Sequence, residues 1–283
     1  MDKNSKKPQR TAGKAKMRKL SKLEWGLIFA AGVLLLVLAA MLILKPYYAI
    51  PEMTTPTAPS TQATTTAPET TEAETLPPET TVETEPVMLT EMAELYAQNP
   101  EIVGWIKIEG TKIDYPLMYT PDDPEKYIRL NFEGKRNAYG LPFVDGHCSM
   151  DPESQNLVIY GHNMNNGTMF GALMDYEKEQ FWKDHPIIEL TTLYEKRQYE
   201  IVAAFRDRVY HSYEDVFKFY QLIDILTEEE LEEAMTHYKE KGFYDTGVEI
   251  EMDDRMITLV TCAYHTKYGR FVVVAREITE ENP

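Results

Sequence analysis

The chain has 283 residues and a formal net charge of −17, and that charge is unevenly distributed. Residues 1–24 hold nine Lys or Arg and two acidic residues, so the remaining chain carries 20 basic and 44 acidic side chains, a net charge of −24. Because contacts with phosphate need Lys and Arg, this acidic body argues against a nucleic acid as a partner. The two cysteines are too few for a disulfide framework.

An apolar run at 25–44 follows the basic segment and contains no charged residue. Its 20 residues match the length of a membrane helix, since a bilayer's hydrocarbon core is about 30 Å thick and a helix rises about 1.5 Å per residue. The basic segment is expected to stay inside, which predicts a single-pass cell-membrane protein with a cytoplasmic tail at 1–24 and an extracellular domain. A cleaved signal peptide is the alternative, but its apolar region has only about 7–15 residues.

Residues 45–87 separate this predicted membrane helix from the rest of the chain. Within them, 51–86 are rich in Thr, Pro and Glu and contain no Lys or Arg. Such a segment cannot bury enough apolar surface to offset the entropy lost on ordering, and its prolines and like charges favour an extended chain. We therefore expect a disordered extracellular stalk that holds a domain at 88–283 away from the membrane.

Residues 88–283 have the mixed composition of a globular domain and open with an amphipathic helix at 88–98. Short β-branched and apolar runs then predict eight strands. These are 102–108, 113–118, 141–144, 156–160, 187–190, 199–205, 256–261 and 270–275. Helices are expected near 168–184 and 227–241, the second opening with a Thr-x-x-Glu capping pattern. The set predicts a mainly β domain, a closed or nearly closed barrel with added helices.

Two chemically useful side chains stand at facing ends of the last two predicted strands. Cys262 follows the strand MITLVT, and Arg270 opens the strand RFVVVAR after the loop 263–269. A hairpin would bring both to one end of the sheet. A nearby cation favours the nucleophilic thiolate, and a guanidinium can stabilise the oxyanion that forms when a carbonyl is attacked. Arg276 lies farther from the cysteine along the same strand and is the weaker candidate.

Acid–base catalysis needs a third group, and His162 is the best candidate among the six histidines. It directly follows the strand NLVIY in the segment YGHN, where Gly161 permits an unusual backbone conformation at the strand end. An imidazole there can protonate a leaving amine and deprotonate an attacking one. Spacing alone does not place His162 near Cys262.

These segments resemble those of the class B sortases. TLVTC with an Arg eight residues after the cysteine, inside GRFVVVAR, resembles the sortase signature of TLxTC and a downstream Arg. NLVIYGHN resembles the sortase histidine segment, and NPEIVGWIKIEGTKIDYPLM and GLPFVDG resemble other parts of a class B domain. The resemblance covers about residues 88–278, nearly the whole predicted domain.

The resemblance implies an eight-stranded sortase-type barrel and a two-step transpeptidation that needs no cofactor. Cys262 would attack a peptide bond in the sorting motif of a secreted protein, of NPxTx type in class B, and form a thioacyl enzyme. His162 would exchange protons with the leaving and incoming amines, and Arg270 would hold the substrate carbonyl. The acceptor would be an amine of a peptidoglycan precursor, which anchors surface proteins to a Gram-positive cell wall, or a pilin lysine in pilus assembly.

Two further positions are expected at the substrate site. Many class B sortases carry Ser where this chain has Val260, and Val260 should face the same side as Cys262 because side chains alternate along a strand. Thr261 matches the family pattern and is expected to help shape the site.

Three alternatives stay open at the level of sequence. Cys148 and Cys262 could form a disulfide in a non-catalytic, membrane-tethered binding module, since an extracellular location permits disulfides. Cys262 with His265, and His147 with Cys148, offer zinc-type ligands, although nothing links the two pairs. A papain-like hydrolase also uses Cys and His, but the usual sequence setting of its cysteine is absent.

Overall fold

The computed structural model of the chain describes residues 86–279 and residue 282. The predicted cytoplasmic tail, the predicted membrane helix and the predicted stalk up to residue 85 lie outside the described residues, so these three segments stay predictions. Within the described residues, no helix is both long enough and apolar enough to cross a bilayer.

Between residues 86 and 279 the chain forms eight strands, three α-helices and three short 3₁₀ helices. The strands are β1 Ile102–Lys107, β2 Asp114–Met118, β3 Phe143–Val144, β4 Asn156–Tyr160, β5 Ile187–Thr192, β6 Lys196–Arg208, β7 Met256–Cys262 and β8 Gly269–Glu277. The α-helices are α1 Thr90–Gln98, α2 Glu179–Asp184 and α3 Glu228–Lys241, and the 3₁₀ helices are Lys126–Ile128, Phe170–Glu177 and Phe219–Gln221. The predicted strands and helices are confirmed, although a 3₁₀ helix precedes α2 where one helix was predicted.

The strands close into a barrel in the order β1-β2-β3-β4-β7-β8-β6-β5, and β5 pairs back with β1. Most neighbouring strands are antiparallel, whereas β2 with β3 and β4 with β7 are parallel. The predicted eight-stranded barrel is confirmed. The structure also shows which strands pair when they are distant along the chain, and the sequence did not predict these pairings.

Burial differs between the strands in a way that matters for the site. β1 and β5 alternate between buried and half-buried positions, as strands do when only one face meets a core. β7 and β8 are buried along most of their length. The second 3₁₀ helix packs on both of them, and α3 packs on the neighbouring β6. The hairpin of β7 and β8 is therefore packed by other elements along most of its length.

The N-terminus of α3 is fixed by the capping box that the sequence predicts. The Glu230 backbone N–H donates to the Thr227 hydroxyl at 3.2 Å, and the Thr227 backbone N–H donates to the Glu230 carboxylate at 3.1 Å. Ala234 and Tyr238 are the buried residues of this helix. The cap thus fixes where the buried face of α3 meets the barrel.

Replacing Thr227 with Ala should lower the free energy of unfolding by about 1 kcal/mol, because the first turn of α3 loses its side-chain acceptor. Thr227→Ser keeps the hydroxyl and should stay within about 0.5 kcal/mol of the unaltered protein. Urea denaturation of the full-length chain measures both values. Identical unfolding midpoints for the Ala variant and the unaltered protein would show that the cap contributes no stability.

Candidate active site

Parallel pairing of β4 with β7 brings His162 to the end of β7. Tyr160 in β4 lies opposite Val260 in β7, and the pairing continues past the strand because the Gly161 N–H donates to the Val260 carbonyl at 3.1 Å. The Thr261 hydroxyl donates to the Gly161 carbonyl at 2.8 Å. His162, the next residue, therefore leaves β4 beside the last residue of β7.

Gly161 is needed for space and not for the unusual backbone that glycine permits. Its φ angle is not positive. A Cβ at this position would lie 2.6 Å from Cγ of Phe170, whose ring is fully buried. The Phe170 N–H also donates to the His162 carbonyl at 2.9 Å. The close approach of this ring to the backbone keeps the histidine segment packed against the second 3₁₀ helix.

The hairpin of β7 and β8 pairs Cys262 directly with Arg270. Directly opposite residues of antiparallel strands point to the same face, with Cβ atoms about 4.5–5.5 Å apart. The connecting loop spans residues 263–268, because Gly269 already belongs to β8. A Cβ at Gly269 would lie 2.1 Å from the Ala263 carbonyl oxygen, so the tight end of this hairpin requires glycine.

The His162 ring is oriented by a hydrogen bond between Nε2 and the Ile128 carbonyl at 2.9 Å. Because a carbonyl oxygen only accepts, Nε2 carries the hydrogen and Nδ1 is left to exchange a proton. Ile128 ends the first 3₁₀ helix, which Glu101 anchors by accepting hydrogen bonds from Lys126 at 2.5 Å and Tyr127 at 2.6 Å. Burial and the Glu101 carboxylate raise the pKa of Tyr127 to about 12, so this hydroxyl stays a donor at neutral pH.

Arg270 forms no salt bridge with a carboxylate in the part of the chain that the structure describes. Its Nη1 donates to the Gly269 carbonyl at 3.0 Å. Arg276 on the same strand is bound to the Glu200 carboxylate at 2.6 Å. Arg270 is therefore the guanidinium of β8 that remains available to an oxygen of a ligand.

His162, Cys262 and Arg270 line one cavity with a volume of about 500 Å³. Sites for small ligands have volumes of about 300–1,000 Å³. The predicted substrate-site residues Val260 and Thr261 line the same cavity. Other apolar residues of its wall include Leu141, Phe143, Val209 and Phe219. The structure thus brings all five sequence-predicted residues together.

Val260 and Thr261 contribute to this cavity in different ways. Val260 is fully buried and occupies the same strand face as Cys262, so it supplies an apolar wall without a hydroxyl. Thr261 is 2% exposed, and its hydroxyl is already bound to the Gly161 carbonyl. Thr261 therefore shapes the cavity by holding β4 against β7.

Cys148 and Cys262 are both free thiols, so the disulfide alternative is wrong. Cys148 is buried, and its Sγ lies 3.5 Å from the Asn156 carbonyl, to which it donates. Burial raises the pKa of the Cys148 thiol to about 12, which keeps it protonated and unreactive at neutral pH. Cys262, half-buried at the cavity, is the cysteine placed for chemistry.

The zinc alternative lacks a ligand set in the structure. In residues 86–279 and 282, no group of three or more His, Cys, Asp or Glu side chains is arranged to hold a metal ion. The His147 ring instead lies 2.7 Å from the Asp145 carboxylate, and His265 is exposed in the loop between β7 and β8.

Asn163 is a residue of the site that the sequence did not single out. Its side-chain Nδ2 donates to the Cys262 carbonyl at 2.7 Å, across 99 positions of sequence. Together with the hydrogen bonds of Gly161, this contact ties the backbone on both sides of His162 to the end of β7. The segment YGHN contains the donor, but nothing in the sequence indicates the atom that it reaches.

Comparisons with known proteins agree with this geometry. The sortase domain family matches residues 106–278. Sortase B of Staphylococcus aureus (strain NCTC 8325 / PS 47) is 31% identical over 182 residues, which cover 64% of this chain and 71% of the relative. Sortase B of Listeria monocytogenes serovar 1/2a (strain ATCC BAA-679 / EGD-e) is 30% identical over 193 residues, covering 67% and 75%. A solved Staphylococcus aureus sortase B-substrate complex matches with a TM-score of 0.60 at 30% identity, covering 68% of this chain and 87% of its own.

The fold and the cavity thus define an enzyme of the sortase type, with relatives in class B. The family match covers more than half of the chain, and the class B relatives are matched over most of their length. The chain belongs to the sortase family of cysteine transpeptidases, and the resemblance read from TLVTC and YGHN is confirmed.

Replacing Asn163 with Asp should lower kcat for peptide cleavage by about tenfold with little change in KM, because the shape is kept while the donor to the Cys262 carbonyl is lost. Steady-state kinetics of the full-length chain measure both constants, and thermal unfolding checks that the variant is folded. Unchanged kcat in a folded Asp variant would show that this hydrogen bond does not position the cysteine.

Proposed function

We propose that this transpeptidase cleaves a sorting motif in secreted proteins and joins the new C-terminus to an amine of a cell-wall peptide. Cys262, His162 and Arg270 carry the chemistry in this proposal. The observation that supports it most directly is the convergence of these three side chains on one cavity of about 500 Å³.

In the first step, the Cys262 sulfur attacks the carbonyl carbon of the scissile peptide bond. The guanidinium of Arg270, free of a carboxylate partner among the described residues, binds the carbonyl oxygen as negative charge develops on it. The C–N bond then breaks, and His162 gives a proton to the leaving amine. The N-terminal part of the substrate remains bound to Cys262 as a thioester.

In the second step, a primary amine attacks the thioester carbonyl carbon. His162 takes a proton from this amine, Arg270 again binds the oxygen, and the C–S bond breaks. The products are a new amide and the free Cys262 thiolate. Transfer instead of hydrolysis requires that the amine reach the thioester faster than water does, and the largely apolar cavity wall favours this outcome.

The N-terminal sequence supports a location on the outer face of the cell membrane. In this proposal, residues 25–44 anchor the chain, residues 1–24 stay in the cytoplasm, and residues 45–87 act as the spacer that holds the catalytic domain within the cell wall. The substrate and the acceptor would then meet the enzyme outside the cell.

A library of fluorescent sorting-motif peptides tests this proposal, with the full-length chain purified in mild detergent. Each peptide, including NPxTx motifs, is incubated alone, with a cell-wall peptide amine, and with a lysine-containing pilin peptide. We expect cleavage of one motif class and, with the cell-wall amine, an amide product. Cys262→Ala should reduce cleavage to about 10⁻³ or less of the original rate, since the nucleophile is lost.

A matched variant of Arg270 tests the role of its guanidinium, and the product distribution distinguishes transfer from hydrolysis. Arg270→Lys keeps the positive charge but loses the planar fork of donors, so it should cost about 10²-fold in kcat/KM. Formation of only the hydrolysed acid at high amine concentration would contradict transfer. A strong preference for the pilin lysine would move the acceptor assignment from wall anchoring to pilus assembly.

A further inference from the structure

Asp207 occupies the strand position next to Arg270. In the register of the barrel, Asp207 of β6 pairs with Arg270 of β8, which in turn pairs with Cys262 of β7. Directly paired residues of antiparallel strands point to the same face, so the three side chains form a row across three strands. A carboxylate and a guanidinium at paired strand positions can form a two-pronged salt bridge.

The Asp207 carboxylate is instead held by other donors. Oδ1 accepts from the Tyr210 hydroxyl at 2.5 Å and from the Arg208 backbone N–H at 2.8 Å, and Oδ2 lies 2.9 Å from Nε2 of His237. The Asp207 side chain is 1% exposed, so water does not compete for it. Among the described residues it forms no salt bridge with Arg270.

Asp207 is charged at neutral pH, and its partner histidine is firmly held. Burial acts to raise the pKa of Asp207, but the hydrogen bonds from His237 and Tyr210 outweigh it and the pKa is lowered. His237 projects from α3, and its ring centroid lies 5.5 Å from that of Phe205 and 4.7 Å from that of Phe217. Asp207 therefore carries a negative charge at the strand position paired with Arg270, and its carboxylate is bound to a residue of a packed helix.

We propose that Asp207 and His237 form a positioning pair that keeps Arg270 free for the substrate carbonyl. His237 occupies Oδ2 of Asp207, which Arg270 would otherwise bind. Neither Asp207 nor His237 touches the substrate in this account, and both act through Arg270. The inference rests on the proposed role of Arg270 in the transpeptidation and adds to it the device that keeps the guanidinium available.

The test measures charge beside Cys262 without any peptide substrate. Iodoacetate and iodoacetamide both alkylate a thiolate, forming an S–C bond as the C–I bond breaks and iodide leaves, but only iodoacetate carries a negative charge. A free Arg270 attracts iodoacetate, so the ratio of the two rate constants reports on the guanidinium. Cys148 does not interfere in the folded full-length chain, because it is buried and its pKa is raised to about 12.

His237→Ala should lower the iodoacetate-to-iodoacetamide rate ratio by about fivefold, because the released Asp207 carboxylate pairs with Arg270. It should also lower kcat/KM for a cleaved peptide by about tenfold. Complete loss of an oxyanion donor costs ~10²–10³-fold, and Arg270 is only partly withdrawn in this variant. Adding Asp207→Asn to His237→Ala removes the competing charge and should restore both values to within about threefold of the unaltered protein. His237→Gln keeps a side-chain N–H donor and should retain both values.

The double variant separates positioning from packing. Equal losses in His237→Ala and in the double variant would show that His237 only fills space against Phe205 and Phe217. An unchanged rate ratio in His237→Ala would also overturn the proposal. Thermal unfolding of all variants shows which are folded. If His237→Ala is not, His237→Phe carries the test, because it keeps an aromatic ring against Phe205 and Phe217 but lacks the donor and should show the same losses. If the rate ratios follow the expected pattern but the chain cleaves no peptide, the positioning pair is retained and the proposed substrate class is rejected.

Discussion

The site depends on the parallel register between β4 and β7. A buried polar contact specifies that register, because the Thr258 hydroxyl of β7 donates to the Asn156 side chain of β4 at 3.0 Å. The Asn156 amide also donates to the Leu222 carbonyl at 2.6 Å, and Asn156 is fully buried. A slip of one residue would break this contact and leave a buried polar group unpaired, at a cost of about 1–3 kcal/mol. The same slip would move His162 away from Cys262.

Near that register, two charged side chains of β6 and β8 are held by partners, and Arg270 forms no salt bridge among the described residues. Arg276 is bound to Glu200, and Asp207 is bound to His237 and Tyr210. Arg270, by contrast, donates to backbone carbonyls, so its charge is available to a ligand in the cavity. A guanidinium free of a carboxylate partner can bind the oxygen of a carbonyl under attack. In the proposed mechanism, Arg270 thus stabilises the transition state of both steps.

Much of the fold could be predicted from the sequence because most strands are short apolar runs bounded by turn residues. The predicted bounds of β6 were too short at both ends, where the strand carries Lys196, Arg206 and Arg208. Charged side chains on one face of these ends obscured the strand pattern, although the residues of the opposite face are buried. The order of strands around the barrel could not be predicted from local pattern. It depends on pairings such as β4 with β7, whose partners lie about 100 positions apart in the chain.

The candidate site was predicted unevenly for the same reason. The hairpin placed Cys262 and Arg270 together from local sequence alone, whereas the proximity of His162 was expected only through the family resemblance. Asn163 and Asp207 escaped notice because their roles arise from partners elsewhere in the chain, the Cys262 carbonyl and His237. A polar side chain reveals nothing about such a role until the fold supplies its partner.

The proposed function requires that Cys262 become acylated by a peptide bound in the cavity that it shares with His162 and Arg270. Intact-protein mass spectrometry tests it most directly, with the full-length chain mixed with a cleaved peptide in the absence of amine. We expect an added mass equal to that of the N-terminal peptide fragment less water, located on Cys262 and released by hydroxylamine. Cleavage of the peptide by the Cys262→Ala variant, or an adduct on another residue, would contradict it.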